Sequence, residues 1–336
     1  MKKIISLVLS FMLIIISITA CGNSDLSNSN SNEKMYQIGI GQFAEHPSLD
    51  NCRYGFIEGL KDNGLEEGKN VKFLYENAQT DGGFCAQINN NFVSKKMDMI
   101  VAIATPIAQS AYAATQGNNI PVIFTAVTDP IAAGIANSDG TPVGNITGTS
   151  DKLPVEEQLK LIREMYPNAT KLGILFTTSE VNSISSIDEY KLYAPKYNFE
   201  IITRGVSQTS EIPLAADNIL NEIDVMTNLT DNTVVSSLPL ILEKANAKSI
   251  PVFGSEIEQV KMGCIACVGL DYFALGKQTA NIASRVLKGE DIKKIKYEII
   301  QEAARYINTK VCENLNYNVT PELLNAAKEV FNTIEG

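Results

Sequence analysis

The sequence predicts an α/β protein made of two similar halves, each a doubly wound parallel sheet, and two observations carry that expectation. Short apolar runs alternate with amphipathic stretches along the chain, the βαβαβ order of a parallel sheet covered by helices. The order then repeats. Residues 98–121 read as an apolar run, a polar loop, a helix and Ile-Pro-Val, and residues 224–253 read the same way, ending in Ile-Pro-Val-Phe.

Taken in order, residues 36–40 form the first strand, and residues 50–63 a helix with Phe56 and Leu60 on its apolar side and Gly64 as its stop. A strand over 71–75 and a helix over 85–95 follow. Residues 99–104 are almost continuously apolar, as a strand covered on both faces requires. A helix over 107–115 and a strand over 121–124 complete the first half. The second half opens at 171–176, Lys-Leu-Gly-Ile-Leu-Phe, which mirrors the first strand down to its glycine. A helix over 184–196 and a strand over 200–203 come next. Residues 263–269, Gly-Cys-Ile-Ala-Cys-Val-Gly, read as a buried strand, and residues 321–331 as a last amphipathic helix.

The amino terminus reads as an address. Lys2 and Lys3 precede an apolar run over 4–18, and Thr19-Ala20 precede Cys21. A basic start, a short apolar core and small residues before a cut site describe a secretory signal. The run is short against the ~20 apolar residues that cross a bilayer. A cysteine directly after Thr-Ala resembles a bacterial lipobox, with Cys21 acylated as the new first residue. Residues 1–20 are thus the signal peptide and residues 21–35, rich in Asn and Ser, a flexible tether. This places the working domain on the extracytoplasmic face of the cell membrane, held by lipid alone, and at the cell surface in a Gram-positive organism.

Composition bounds the function. The formal charge of -10 becomes -12 once the two lysines of the signal are removed, which argues against nucleic acid and against docking on anionic lipid. Cys52, Cys85, Cys264, Cys267 and Cys312 remain, an odd number in an exported chain. Cys264-x-x-Cys267 lacks matching zinc ligands and sits in a strand pattern, so packing is the expected role; a Cys52–Cys85 disulfide stays open. Gly39-Ile-Gly41-Gln-Phe-Ala44 lacks the third glycine of a dinucleotide loop, and there is no P-loop and no nucleophile elbow. No catalytic residue, cofactor or metal is expected. The single histidine, His46, reads as a surface or hydrogen-bonding residue.

Several segments together carry a family resemblance: residues 42–50 (Gln-Phe-Ala-Glu-His-Pro-Ser-Leu-Asp), 104–109 (Ala-Thr-Pro-Ile-Ala-Gln), 124–130 (Phe-Thr-Ala-Val-Thr-Asp-Pro), 182–185 (Asn-Ser-Ile-Ser), 230–235 (Thr-Asp-Asn-Thr-Val-Val) and 269–272 (Gly-Leu-Asp-Tyr). With them the chain resembles the tryptophan/tyrosine-type ABC transporter substrate-binding lipoproteins over essentially its whole length. The resemblance implies a type I periplasmic-binding-protein fold: two doubly wound parallel-sheet lobes joined by three hinge strands, with the ligand between them. The crossings are expected near Ser150-Asp151, near Asp271 and over 299–302. Residues 36–150 plus 272–300 would form the amino-terminal lobe, and 151–271 plus 301–336 the carboxy-terminal lobe. The implied partners are a small amino acid, aromatic in type, and an ABC permease. The protein itself would be a monomer.

In open parallel sheets, ligands bind beyond the carboxyl ends of the strands, where helix amino termini point. The segments quoted above fall there, and they nominate the ligand-binding residues. In the first lobe these are Gln42, Phe43, Glu45, Thr105, Pro106, Thr125, Ala126 and Asp129; in the second, Asn182, Ser183, Asp231 and Asn232, with Asp271 at a hinge. A ligand carboxylate would lie on helix-start N–H groups at Thr105 and at 182–184. Its ammonium would lie on Asp271, Asp231 and Asn232, with Glu45 in reserve, and its ring on Phe43 and Pro106. Other roles suit the same residues. Asp231 and Ser183 fit helix caps, Phe43 fits a core, and Asp129 before Pro130 fits a turn. Branched-chain amino acids or another small solute would use many of the same groups, and a surface sensor or adhesin role is the competing function.

Overall fold

A computed structural model describes residues 34–300 and 302–335. The signal peptide, the lipobox cysteine Cys21 and nearly all of the expected tether lie outside the described residues. Among the described residues no helix is long and apolar enough to cross a membrane.

The first lobe alternates strand and helix as its sequence dictates. It contains β1 (Tyr36–Gln42), α1 (Pro47–Asp62), β2 (Val71–Asn77), α2 (Gly82–Ser94), β3 (Met99–Ile103), α3 (Thr105–Ala114), β4 (Val122–Thr125) and β5 (Ile146–Ser150). The second lobe starts with α4 (Val155–Met165), β6 (Lys171–Thr177), α5 (Val181–Tyr193), β7 (Glu200–Val206), α6 (Ile212–Ile219) and β8 (Val225–Thr227). It continues with α7 (Asn232–Val235), α8 (Leu238–Ala247), β9 (Val252–Phe253), α9 (Ile257–Met262) and β10 (Ala266–Gly269). The chain then returns to the first lobe as α10 (Tyr272–Leu287) and β11 (Glu298–Ile299). It ends on the second with β12 (Ala304–Asn308), α11 (Thr309–Asn314), α12 (Pro321–Ala326) and β13 (Glu329–Phe331).

Strand order in the first sheet is β11-β5-β4-β3-β1-β2, with every pairing parallel. The second lobe orders its strands β7-β6-β8-β9, again all parallel. Backbone bonds from Ile265 to Val252 (2.8 Å) and from Gly254 to Ala266 (3.0 Å) carry this sheet on into β10. The internal repeat of the sequence is therefore a repeat of topology: second strand, first, third, fourth, fifth in both lobes. β3 is buried throughout, as its unbroken apolar run requires.

The repeated glycines have a common cause. A Cβ on Gly39 in β1 would lie 2.7 Å from the ring of Phe92 in α2, and a Cβ on Gly173 in β6 would lie 2.4 Å from Ile223. Each first strand carries a glycine because a side chain from the covering layer seats against it.

One expected element differs. The last helix stops at Ala326, and residues 329–331 pair with β12 in parallel. Phe331 stacks on Tyr306 at 6.5 Å, and the Lys328 N–H donates to the Arg305 carbonyl at 2.8 Å. Sheet pairing for Val330 and Phe331, both strand formers, overrides the amphipathic pattern. All five described cysteines are free and buried, so no Cys52–Cys85 bridge forms. Burial pushes the Cys52, Cys85 and Cys312 thiols up to about 12, which leaves them inert packing groups.

Candidate ligand-binding cleft

The lobes face each other across the carboxyl ends of their strands, and the cleft between them is closed. Ser48 Oγ in α1 donates to Glu256 Oε1 at 2.8 Å, and Asn51 Nδ2 donates to Glu258 Oε1 at 2.7 Å. Farther along, the Thr128 and Thr230 hydroxyls meet at 3.0 Å, and Ser185 Oγ donates to Asp129 Oδ2 at 2.6 Å. Each bond joins one lobe to the other.

Inside this rim lies a narrow enclosed space in which only ≈ 10 Å³ is wide enough for water. The first lobe contributes His46, Ser48, Leu49 and Ala126. Asp151 and Tyr272 come from the crossings between lobes, and Thr230, Asn232, Val235, Glu256 and Gln259 from the second lobe. Leu49 and Val235 set apolar surface on opposite walls, and no lysine or arginine lines the cavity. Ala126 is held at φ 54, a left-handed geometry that alanine rarely adopts and that lies where β4 ends.

Two carboxylates line the cavity, and only one is open to a ligand. Glu256 caps α9, accepting from the Glu258 and Gln259 N–H groups as well as from Ser48. Asp151 accepts from the Tyr272 hydroxyl through Oδ2, while its buried Oδ1 has no partner. Burial raises the Asp151 carboxyl above its ordinary range, opposed by that hydrogen bond and by the Thr128 hydroxyl, which approaches without hydrogen-bond geometry. Two more buried polar groups lack partners nearby: both ring nitrogens of His46 and Oδ1 of Asn182. Burial lowers His46 to about 4, against the pull of Asn232 and of the Asp50 charge, so the ring is neutral at physiological pH. Asn232 approaches the ring without hydrogen-bond geometry. Buried polar atoms without partners cost free energy, and Asp151, His46 and Asn182 place three such groups at or beside this cavity.

Behind the cavity wall a second acidic pair fixes the loops. Asp231 accepts from Thr177 N and Oγ1, from Ser183 Oγ at 2.7 Å and from Val234 N at 2.9 Å, capping α7. Glu180 accepts from Asn182 Nδ2, from the N–H and side chain of Asn232, and from the N–H and hydroxyl of Thr233. Burial, reinforced by the Asp231 charge, raises Glu180 to about 7. These carboxylates hold Asn182, Ser183 and Asn232 in place and have no oxygen to spare.

Of the residues nominated from sequence, the structure brings Ala126 and Asn232 to the cavity, and places Asn182 beside it through its bond to the Thr230 carbonyl. Asp129 bridges the lobes and also turns the chain, accepting from Ile131 and Ala132 N–H. Others serve the scaffold. Gln42 bonds Ala44, Asp50 and Arg53. Thr125 Oγ1 sits among Cys52, Thr149 and Thr279. Phe43 belongs to the first core. Glu45 is exposed and Pro106 partly so, while Thr105 is buried with its hydroxyl unpartnered. Asp271 caps α10 through Ala274 N and faces an outer groove with Gln278, Ile300 and Lys328, away from the cavity. The sequence reading did not nominate Asp151, Glu256 and Gln259, which line the cavity, or Glu180, which braces Asn232 behind it. It quoted Ser48, Leu49, Thr230, Val235 and Tyr272 within its segments without choosing them.

Two lobes of like topology closing over a buried, polar-lined cavity define a bilobal solute-binding protein. Comparison with known proteins agrees: residues 37–331 match the family of ABC transporter substrate binding proteins, and the chain belongs to it. It is a substrate-binding protein of ABC transport, of an extracytoplasmic family that binds solutes and does not turn them over. The chain is 41% identical over 321 residues to a tyrosine-binding protein of Clostridioides difficile, covering 94% of this chain and 92% of that protein. It is also similar to an ABC domain from Streptococcus pneumoniae solved with L-Trp, at 32% identity and TM-score 0.85, covering 89% of this chain and all of that one. Against the ligand-free, open structure of a substrate-binding protein with adhesive properties from Clostridium difficile, identity is 35% and TM-score 0.67, with the same coverage of both chains. The lower score against the open form accords with the closed lobes described above.

Proposed function

We propose that the cleft takes a free aromatic amino acid, tyrosine or tryptophan, for delivery to an ABC permease, and that the chain is a lipid-anchored monomer tethered through Cys21. The lobes are taken as residues 36–150 plus 272–300 and 151–271 plus 301–336. The observation that carries the ligand reading is the unengaged Asp151 Oδ1, buried at the hinge in a cavity without cations. A buried carboxylate in such a place calls for a cationic partner, and an α-ammonium supplies one. The ligand carboxylate would accept from the His46 ring N–H and the Thr230 hydroxyl, and the ring would lie between Leu49 and Val235. The relatives that carry tyrosine or L-Trp in their descriptions support the aromatic class.

Calorimetry on residues 34–336 tests this. L-tyrosine or L-tryptophan is expected to bind one to one, and 3-(4-hydroxyphenyl)propanoate, which lacks the ammonium, at least tenfold more weakly. Equal affinity for the deaminated acid would remove the ammonium from the account.

A further inference from the structure

Glu256 and Glu258 form an acidic pair at the lobe interface with no cation to balance it. Both lie on the second lobe at the start of α9, and both are buried. Each is bonded to a different side chain of α1 in the first lobe, Ser48 and Asn51 respectively. Neither has a lysine or arginine partner among the described residues. The groups facing the pair are Asp151 and Tyr272 at the hinge, Cys264, Cys267 and Tyr306 in the second lobe, and His46 ahead of α1. Asp50 on α1 is tied to Arg53, and Lys261 on α9 lies over the Phe331 ring. The charge of two adjacent carboxylates is thus unrelieved while the lobes are closed.

The hydrogen-bond accounting shows how the closed state resolves this. Glu258 Oε2 is buried and has no donor. Glu256 Oε2 accepts from the Glu258 N–H at 2.8 Å, which holds its carboxyl on the same helical turn as Glu258, and a proton on Glu256 would supply a donor there. When the lobes part, Ser48 and Asn51 withdraw, water reaches both carboxylates, and the need for the proton disappears.

We propose that Glu256 and Glu258 are a proton-dependent latch between the lobes: closure draws one proton from solvent onto Glu256, and pH thereby sets ligand affinity. Burial and the Glu258 charge together raise Glu256 well above the usual carboxylate range, in the same sense. By linkage, a closed state that holds one more proton is favoured as pH falls and disfavoured as pH rises. Protonation of His46 opposes this below its ordinary value near 6.5, because its closed-state value is about 4. From about one pH unit above 6.5 the imidazole is largely neutral in either state, and there the acidic pair acts against no histidine.

The proposal rests on the amino-acid reading only for its probe, and the experiment separates the two. L-tyrosine is titrated into residues 34–336 from pH 7.5 to 8.5, in buffers of different ionisation enthalpy. Net proton uptake on binding is expected, with Kd weakening as pH rises, by at most ~tenfold per pH unit, and the dependence abolished in Glu256→Gln. Glu258→Gln, which removes the neighbouring charge but keeps the helix cap, reads the same loss if Glu256→Gln does not fold. Absence of proton uptake, or equal uptake in the variants, would overturn the latch. If L-tyrosine and L-tryptophan do not bind at any pH, the amino-acid reading fails and small-angle scattering of the ligand-free protein decides. A more compact wild type at pH 7.5 than at 8.5, with no such change in the variants, supports the latch. No compaction, or the same compaction in the variants, overturns it.

Discussion

Asp151 and Asp271 both lie where the chain passes between lobes, yet they face opposite sides of the hinge. Asp271 spends one oxygen on the first turn of α10 and looks outward, while Asp151 turns a free oxygen into the cavity. Asp151→Asn is therefore expected to weaken amino-acid binding by about 2 kcal/mol or more, since an ammonium loses a buried charged partner. Asp271→Ala is expected to cost about 1 kcal/mol of stability as a lost cap and to leave affinity within a few fold; calorimetry and urea denaturation check the two effects. The same contrast shows why single residues were hard to read. Side chains alternate in direction where strands end, so a shift of one position separates Tyr272 from Asp271 and Thr230 from Asp231. The segments quoted from sequence include cavity-lining residues, but the sequence carried no marker of that phase. Glu180, ahead of α5, has no sequence signal of its burial at all. Because its carboxyl is raised to about 7 in the folded state and titrates near 4.5 when unfolded, its share of stability is complete below about pH 4.5 and is lost as pH rises through 7. The stability gap between wild type and Glu180→Gln is expected to narrow from pH 5 to pH 8 by about 1 kcal/mol or more, read by chemical denaturation. A gap independent of pH would assign Glu180 an ordinary ionised state.

Helices α1 and α10 approach each other backbone to backbone. A Cβ on Gly276 would lie 2.0 Å from the Cys52 carbonyl oxygen, and one on Gly55 would lie 2.0 Å from that of Phe273. Both approaches matter to function, because α1 carries Ser48 and Asn51 to the rim and α10 begins at Tyr272. Gly276→Ala is expected to cost roughly 1–3 kcal/mol or more as an overpacked contact. It should also weaken ligand binding by displacing Tyr272, which a denaturation curve and a titration on the same variant would show. At this scale the sequence was a good guide. Strong periodicity and breaker residues marked β1 to β4 and their helices to within a few residues, and the apolar run at 99–104 marked its full burial. It failed at the carboxy terminus, where the pattern at 321–331 is compatible with a helix and only the partner strand β12 decides otherwise. Local pattern cannot see a tertiary partner.

At the scale of the whole molecule, the duplicated strand order builds two like walls, and the crossings between them place Asp151 and Tyr272 at the back of the space they enclose. Closure brings together groups that sequence order keeps far apart: Ser48 with Glu256, Asn51 with Glu258, Asp129 with Ser185. The duplication was visible in the sequence because strands, loops and the Ile-Pro-Val segments repeat. The rim was not, because contacts between lobes follow no local period. A second concavity, on the outside of the first lobe among Glu76, Phe84 and Asn91, is larger but open, and no buried unpartnered polar atom lines it. The central claim is that an amino acid is held between the lobes by its ammonium on Asp151. The most direct test is a crystal structure of residues 34–336 grown with L-tyrosine. The expected result is density in the interlobe cavity with the ligand nitrogen within hydrogen-bond distance of Asp151 Oδ1. Tyrosine in the outer groove, or with its ammonium on Asp271, would contradict the account.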